Sequence, residues 1–245
     1  MRSEMEAIKP RNIATRTLTS HADHPVNFVS HAAVASWYDT SPLFVLGAML
    51  PDFLGMLGMR AVPVSEELVR GVAFHHASDA AFHEAPQFIK LTHEARRALT
   101  AAGCPKGPAR AVAHIGVELL LDPVLLDESG ARDAYTKAIE RAAAVRDEIA
   151  FLPGDAARFF DFCRLLSQRD LPRRDDLESV VVRIRRALAG RPRLALDEAG
   201  VVAVRNWVVA AQPSVVGCTS DVIRHMLSKL DDQGFGRATR AERHQ

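Results

Sequence analysis

The sequence has little of the composition that marks disulfide-stapled or nucleic-acid-binding proteins. Its 245 residues include three cysteines, Cys104, Cys163 and Cys218, which are far apart and form no C-x-x-C pair. That spacing excludes a disulfide framework and a cysteine zinc site. Lys and Arg number 31 against 30 Asp and Glu, so the chain as a whole lacks the basic excess of nucleic-acid-binding proteins.

Long hydrophobic runs are also lacking. The longest apolar stretches are either shorter than the roughly 20 residues that span a bilayer or interrupted by Pro51 and Asp52. Residues 1–25 mix charges of both signs and contain no apolar run like that of a secretory signal. We therefore expect a cytoplasmic protein with no membrane span and no nucleic-acid partner.

Several common catalytic motifs do not occur. The sequence contains no G-x-S-x-G, no G-x-x-x-x-G-K-[ST] and no G-x-G-x-x-G. It therefore offers no motif residues for a serine hydrolase, a P-loop enzyme or a dinucleotide-binding fold. Glu-x-x-His pairs, which carboxylate-bridged di-iron bundles place on two helices, are absent as well.

What the sequence does contain is helical periodicity. Apolar residues recur at spacings of three and four, and Ser41-Pro42 has the pattern of a helix start. We predict an all-α, single-domain helical bundle over 26–232, with a loose arm at 1–25 and a polar tail at 233–245. Inside the bundle we expect one helix over 133–151, and a break between two helices at Gln212-Pro213.

Two of the predicted helices carry metal-capable side chains at four-residue intervals. Four residues advance a helix by about 400°, so residues at this spacing share one face. The first stripe is His75, Asp79 and His83, and the second is His114, Glu118 and Asp122. The second stripe lies in an apolar run, where a carboxylate is costly to bury unless it is paired or binds a cation.

The stripes admit two interpretations. In one, their side chains form hydrogen bonds and ion pairs inside the bundle. In the other, they bind a divalent metal together with Asp52, which lies in a third apolar run. His31 is explained equally well as a further ligand and as a core histidine. The coincidence of two stripes with Asp52 favours the metal.

Mixed histidine and carboxylate ligands suit manganese, iron, zinc or magnesium. Such an ion can lower the pKa of a water far enough to make a nucleophile at neutral pH, which indicates hydrolysis. His76 and His114 are the candidate proton donors to the leaving group, because the pKa of imidazole lies near neutrality.

Four short motifs follow one another along the chain. They are Asn27-Phe28-x-x-His31, Gly47-x-x-x-x-Asp52-Phe53, Gly71-x-x-x-His75-His76-x-x-Asp79 and Glu118-x-x-x-Asp122. Their order and spacing, with further likeness as far as about residue 200, resemble the bacterial acyl carrier protein phosphodiesterases. Those enzymes are all-α relatives of the HD metal-dependent phosphohydrolases.

The resemblance implies a divalent metal, typically manganese, with iron or zinc as alternatives. It also implies hydrolysis of the phosphodiester that joins 4′-phosphopantetheine to a serine of acyl carrier protein. By position, it assigns Asp52, His75, Asp79 and Asp122 to the metal or catalytic site.

The chain departs from the family pattern at several of these positions. Ala48 stands where the family has Asn, His76 where it has Arg, His83 where it has Asp, and Pro123 where it has His. These departures indicate a diverged member. Its substrate is then acyl carrier protein or a small phosphorylated metabolite; the alternative is a non-catalytic helical interaction protein that keeps the fold.

Basic residues are concentrated between Arg164 and Arg193. This segment has nine Arg against four acidic residues, a net charge of +5. Acyl carrier proteins are acidic, so Arg173, Arg174 and Arg185 are candidates for binding such a partner. A solvated helix face explains the same residues equally well.

Overall fold

The computed structural model describes residues 28–128 and 130–236. The predicted arm at 1–25 and residues 237–245 of the predicted tail lie outside the described residues. The described chain is an all-α, single-domain bundle, which confirms the predicted fold class. Its helices are α1 (Phe28–Ala35), α2 (Pro42–Leu57), α3 (Glu66–His83), α4 (Pro86–Ala101), α5 (Lys106–Leu126), α6 (Ala131–Ala142), α7 (Asp155–Ser167), α8 (Leu177–Ala189) and α9 (Glu198–Asp232).

One predicted helix, that over 133–151, is wrong in its second half. α6 ends at Ala142, and Ile149–Phe151 forms a short strand, β2. β2 pairs antiparallel with β1 (Ala61–Pro63), in the register Ala61 opposite Phe151 and Pro63 opposite Ile149. A partner strand nearly ninety residues away in the sequence thus overrides the local helical pattern.

The predicted break at Gln212-Pro213 is also wrong, because α9 continues through it. A proline inside a helix removes one backbone hydrogen bond and leaves a carbonyl group without its donor. Pro213 and Ser214 are exposed, so water can reach this part of the backbone. The cost of the missing bond is therefore small enough for the helix to continue.

Two central helices organise the bundle. α2 packs against α1, α3, α6 and α7, while α5 packs against α1, α4, α8 and α9. The backbones of α2 and α3 approach closely at Gly47 and Gly71, where a Cβ on Gly47 would lie 2.5 Å from the carbonyl oxygen of Leu68. This close crossing places the middle of α3 directly beside the second half of α2.

Among the described helices, α9 is long and apolar enough to cross a membrane, judged by length and composition alone. The mean hydropathy of its most apolar stretch is 1.2, and 28% of that stretch is buried inside the protein. Core helices of soluble proteins meet the same criterion.

Candidate metal centre

Four helices bring the metal-capable side chains to one region of the bundle. α1 supplies one histidine, α2 one aspartate, α3 the first predicted stripe, and α5 two residues of the second, His114 and Glu118. Among the described residues, ligand atoms of these side chains form two groups, each with all atoms within 4.8 Å of one another. The buried group is His31, Asp52 and His75, and the rim group is His83, His114 and Glu118.

The imidazole of His75 is held by the backbone of α2. Its Nδ1 lies 2.9 Å from the carbonyl oxygen of Ala48, which can only accept a hydrogen bond. Nδ1 is therefore the protonated nitrogen, and Nε2 carries a lone pair. Because burial lowers the pKa of His75 to about 4, the ring is neutral at physiological pH. Its Nε2 is thus prepared as a metal ligand.

The imidazole of His31 is oriented in the same way through Ser78. The Ser78 hydroxyl donates to the carbonyl oxygen of His75 over 3.0 Å, so its oxygen is left to accept from Nδ1 of His31 at 3.2 Å. Nε2 of His31 therefore also carries a lone pair. Burial lowers the pKa of His31 well below its usual value, which keeps this ring neutral as well.

Asp52 lies between these two lone pairs. Its Oδ1 is 3.7 Å from Nε2 of His75 and its Oδ2 is 3.9 Å from Nε2 of His31, both beyond hydrogen-bond range. Oδ2 is a buried oxygen with no hydrogen-bond partner. Burial raises the pKa of Asp52 well above its usual value. A cation between the three side chains would satisfy all of them, since two such ligands of one ion lie up to about 4.2 Å apart.

The rim group has a different internal chemistry. Nε2 of His83 and Nε2 of His114 lie 3.2 Å and 3.1 Å from the same oxygen, Oε1 of Glu118. Burial alone would lower the pKa of His83, but hydrogen bonds to Asp79 and Glu118 outweigh it and raise the pKa to about 10. The rim group is therefore hydrogen-bonded around a proton on His83.

Asp79 faces both groups. Its Oδ1 lies 3.9 Å from Nε2 of His31, and its Oδ2 lies 3.5 Å from Nδ1 of His83. Burial would raise the pKa of this carboxyl group, but the hydrogen bond to His83 outweighs it and lowers the pKa to about 2. Asp79 is therefore an ionised carboxylate whose side chain is 41% exposed at the mouth of the buried group.

A cavity of about 990 Å³ opens onto both groups. One part of its wall consists of ligand side chains from the two groups together with Asp79. The remaining wall includes the polar residues Thr92, His93, Arg96, Arg110 and Arg191. A ligand in this cavity could therefore contact both metal-capable side chains and guanidinium groups.

The structure does not bring Asp122 to either group, although its spacing on α5 matched the stripe. Its carboxylate is fully buried and accepts a hydrogen bond from Ser30 at 2.6 Å and another from Arg183 at 2.7 Å. These partners satisfy both oxygens of Asp122. The contacts of Asp122 are those expected if this residue of the stripe forms internal hydrogen bonds and ion pairs.

Other predicted site residues lie elsewhere. His76 is exposed and lies outside the cavity wall, because neighbouring residues on a helix point about 100° apart. Arg173 is paired with Asp175, Arg174 with Asp127, and Arg185 is exposed on α8.

Sequence reasoning missed the serine and arginine residues of this region. Arg110 precedes His114 by four residues and so continues the stripe on α5, a signal that the spacing offered. Ser78 gave no signal, because its role depends on a contact with α1 from 47 residues away.

Comparisons of the chain with known proteins give no relative. No family model, no curated protein and no solved structure matches it. The function of the site is therefore inferred from its own geometry and chemistry.

Proposed function

We propose that the protein is a metal-dependent hydrolase of phosphoric esters. One divalent ion is bound by His31, Asp52 and His75, with Asp79 as a further ligand. Manganese is the first candidate, and iron or zinc are the alternatives, since all accept mixed imidazole and carboxylate ligands.

The observation that carries this proposal is the buried group itself. Two neutral imidazoles present lone pairs to one carboxylate, and Oδ2 of Asp52 has no partner. Buried polar atoms of folded proteins nearly always have one, and a carboxylate without one is especially costly. A cation accounts for all three orientations at once.

The distances between facing atoms also distinguish the buried group from the rim group. The nitrogen–oxygen distances of the rim group, 3.1 Å and 3.2 Å, are those of hydrogen bonds, whereas the 3.7 Å and 3.9 Å of the buried group are not. The rim group is stable with a proton, whereas the facing atoms of the buried group make no such hydrogen bonds, which supports an ion there. We therefore assign the metal to the buried group.

The chemistry follows from this division. A bound divalent cation neutralises charge on the phosphoryl oxygens and makes a water nucleophilic at neutral pH. The rim group holds a proton between two imidazoles and Glu118 on the same cavity. His114 shares Oε1 of Glu118 with His83, and its side chain is 38% exposed, so we take it as the residue that passes a proton from this group to a departing alkoxide.

Adjacent histidines of α3 provide the matched test of the metal site. Wild-type protein purified without chelator should contain about one ion per chain by elemental analysis. His75→Gln should lose the ion and the turnover of bis-p-nitrophenyl phosphate, because it removes a buried ligand. His76→Gln should keep both, because this side chain is exposed. Metal-free wild-type protein, or an ion that survives in His75→Gln, would contradict the proposal and favour a non-catalytic interaction protein.

Glu118→Gln separates metal binding from proton transfer. This variant should retain the ion, because Glu118 belongs to the rim group. Its turnover should fall by a factor of about 10²–10⁴, the usual contribution of a positioned acid or base. Loss of the ion in Glu118→Gln would show that the metal has been assigned to the wrong group.

Acyl carrier protein, the substrate implied by the family resemblance, remains the proposed protein partner. Support comes from a second cavity, a groove of about 1380 Å³. Five arginines line it, namely Arg132, Arg169, Arg173, Arg183 and Arg186, and they outnumber its three aspartates, Asp170, Asp175 and Asp176. A chain of hydrogen bonds links the groove to the buried group, because Arg183 bonds to Asp122 and Asp122 bonds to Ser30, the neighbour of His31. An acidic protein could bind there while its phosphoester reaches the cavity.

A further inference from the structure

Two arginines line the metal cavity on the side away from the metal-capable groups. Arg96 lies on α4 and Arg110 lies on α5, and both residues are exposed. Among the described residues, neither forms an ion pair with an acidic side chain. Their charge is therefore available to a ligand in the cavity.

The two helices fix how far these arginines lie from the rim group. On α5, Arg110 precedes His114 by one four-residue step, which is about 6 Å of helix. On α4, Phe88 packs against the ring of His114 at 5.5 Å and against that of His83 at 5.3 Å. Arg96 follows Phe88 by two such steps, about 12 Å.

Both steps run in the same direction. α4 ends at Ala101 and α5 begins at Lys106, so the short connection makes the two packed helices antiparallel. Moving forward along α4 and backward along α5 therefore leads to the same end of the cavity. Thr92 and His93 lie on the way, and Arg191 completes this end of the wall.

The charges of the cavity wall are divided between its ends. Its acidic residues are Asp52, Asp79 and Glu118, all of which face the buried or rim group. The other charged residues of the wall, apart from histidines, are Arg96, Arg110 and Arg191. A guanidinium group matches the geometry of phosphate and carboxylate oxygens, and it binds either through two parallel hydrogen bonds.

We infer that the substrate carries a second oxyanion, a phosphate or a carboxylate, which lies on the side of the cavity one to two helical steps, about 6–12 Å of helix, beyond the rim group. Arg96 and Arg110 bind this second group while the first contacts the metal end. The inference rests on the proposed function and adds to it the substrate class: phosphoric esters with a second, remote anionic group.

Inert phosphonates test this by calorimetry on the manganese-loaded protein. The probes are alkylene-α,ω-bisphosphonates from ethylene to octylene, ω-phosphonocarboxylates of the same lengths, and n-alkylphosphonates with a single anionic group. A bisphosphonate or phosphonocarboxylate of intermediate or greater length should bind about tenfold or more tightly than the n-alkylphosphonate of equal length. Ethylenebisphosphonate chelates a metal but is too short to reach both ends, so it should show little of this gain.

Arginine variants locate the gain in the structure. Arg96→Gln with Arg110→Gln should abolish the gain from the second group, measured as the ratio of the two-anion to the one-anion affinity at equal chain length. Arg97→Gln is the matched control: Arg97 is an exposed arginine on the same helix that lies outside the wall of this cavity. It should keep the gain. The stronger of the two probe series tells whether the second group is a phosphate or a carboxylate.

Two results would overturn the inference, and they can be told apart from failure of the proposed function. The first is equal affinity for one-anion and two-anion probes in the wild type. The second is a gain that survives in the double variant. Either result, obtained with a protein that binds metal and n-alkylphosphonates, refutes the inference of a second anionic group and leaves the proposed function standing. If the protein binds neither metal nor phosphonates, the proposed function and this inference are both refuted.

Discussion

At the scale of single residues, the orientation of His31 depends on a neighbour that is not itself a ligand. Ser78 is fully buried and links the two imidazoles of the buried group by accepting from one and donating to the backbone of the other. Partners of this kind fix the tautomer and direction of a metal-ligating histidine. Ser78 is therefore a positioning residue.

Replacement of Ser78 should weaken metal binding more than it weakens the fold. Ser78→Ala should lower the affinity for manganese about 10–100-fold, measured by competition with a chelating dye. Ser36→Ala is the control, because Ser36 is also buried but donates only to the carbonyl oxygen of Ala33. Equal effects of the two changes on metal affinity would contradict a positioning role.

The cysteines offer a test of burial at the same scale. Burial raises the pKa of Cys163 to about 12, while Cys218 is only half-buried. Because the thiolate is the reactive form, a thiol reagent at pH 8 should modify Cys218 in the folded protein and leave Cys163 unmodified. The count of modified thiols, followed spectroscopically, should rise to three only after denaturation. Fast modification of Cys163 in the folded protein would contradict its placement in the core.

The residues that could be predicted from the sequence are those whose relation is local. His75, Asp79 and His83 repeat every four residues on one helix, and the structure places them along one side of the site. Asp122 obeys the same spacing on α5, yet it is bonded to Ser30 and Arg183, which lie 92 and 61 residues away. Spacing along a helix gives the face on which a side chain lies but not the partner that occupies that face.

At the scale of elements, the position of the metal site depends on the crossing of α2 and α3. A Cβ on Gly71 would overlap the carbonyl oxygen of Phe44, and a Cβ on Gly47 would meet the backbone at Leu68. These neighbours are backbone atoms and cannot rotate away. The crossing holds Asp52 of α2 beside the histidines of α3.

Separating these helices should therefore impair both stability and metal binding. Gly71→Ala should lower the free energy of unfolding by about 1–3 kcal/mol, the usual cost of overpacking, and should weaken manganese binding. Gly217→Ala in α9 is the matched control, because a Cβ there meets no atom within 4 Å. It should raise stability by up to about 1 kcal/mol, since alanine is the better helix former. Urea unfolding with and without manganese measures both; a harmless Gly71→Ala would contradict the close crossing.

The residues at which helices begin were predictable from the sequence, but the residues at which helices end or continue were less so. Ser41-Pro42 does precede α2, as its pattern of a helix start predicted. The strand Ile149–Phe151 was not predictable, because it exists through pairing with β1. Pro213 did not end the helix as predicted, because a solvent-exposed helix face tolerates the loss of the hydrogen bond that proline removes.

At the scale of the whole molecule, the all-α bundle followed from periodicity, whereas counting charges along the chain did not show which arginines line one groove. The groove that we propose for an acidic partner contains Arg169 and Arg186, while Arg174 and Arg185 of the predicted set lie outside its wall. Arg173 lines the groove but already pairs with Asp175. Which arginines face one groove depends on how α7 and α8 pack, which charge counting along the chain does not reveal.

An acidic protein substrate should therefore respond to the groove and to salt. Arg169→Glu with Arg186→Glu should slow the hydrolysis of holo acyl carrier protein at low ionic strength, because it removes electrostatic steering. Added salt should slow the wild-type reaction in the same way, since the Debye length is roughly 8–10 Å at physiological salt. Arg185→Glu is the control outside the groove wall. Equal slowing of bis-p-nitrophenyl phosphate, or no slowing at all, would leave a small phosphorylated metabolite as the substrate.

The buried group also makes a prediction about the stability of the entire bundle, because its ligands come from α1, α2 and α3. Without metal, Asp52 is a buried carboxyl group with an unpartnered oxygen and a raised pKa, so either keeping it ionised or protonating it at neutral pH costs folding free energy. Asn at this position is uncharged, and its amide can donate to an imidazole lone pair that Asp52 only faces. Metal-free Asp52→Asn should consequently unfold at a higher temperature than the metal-free wild type.

Manganese should reverse this order. An ion that binds only the folded state stabilises it by about 2.7 kcal/mol when its concentration is a hundred times Kd. The wild type should gain this stability and Asp52→Asn should not, so the unfolding temperatures of the two proteins cross as manganese is titrated by calorimetry. A chelator should restore the original order. If Asp52→Asn is the less stable protein at every metal concentration, Asp52 supports the fold through contacts of its own, and the need for a cation at the buried group is refuted.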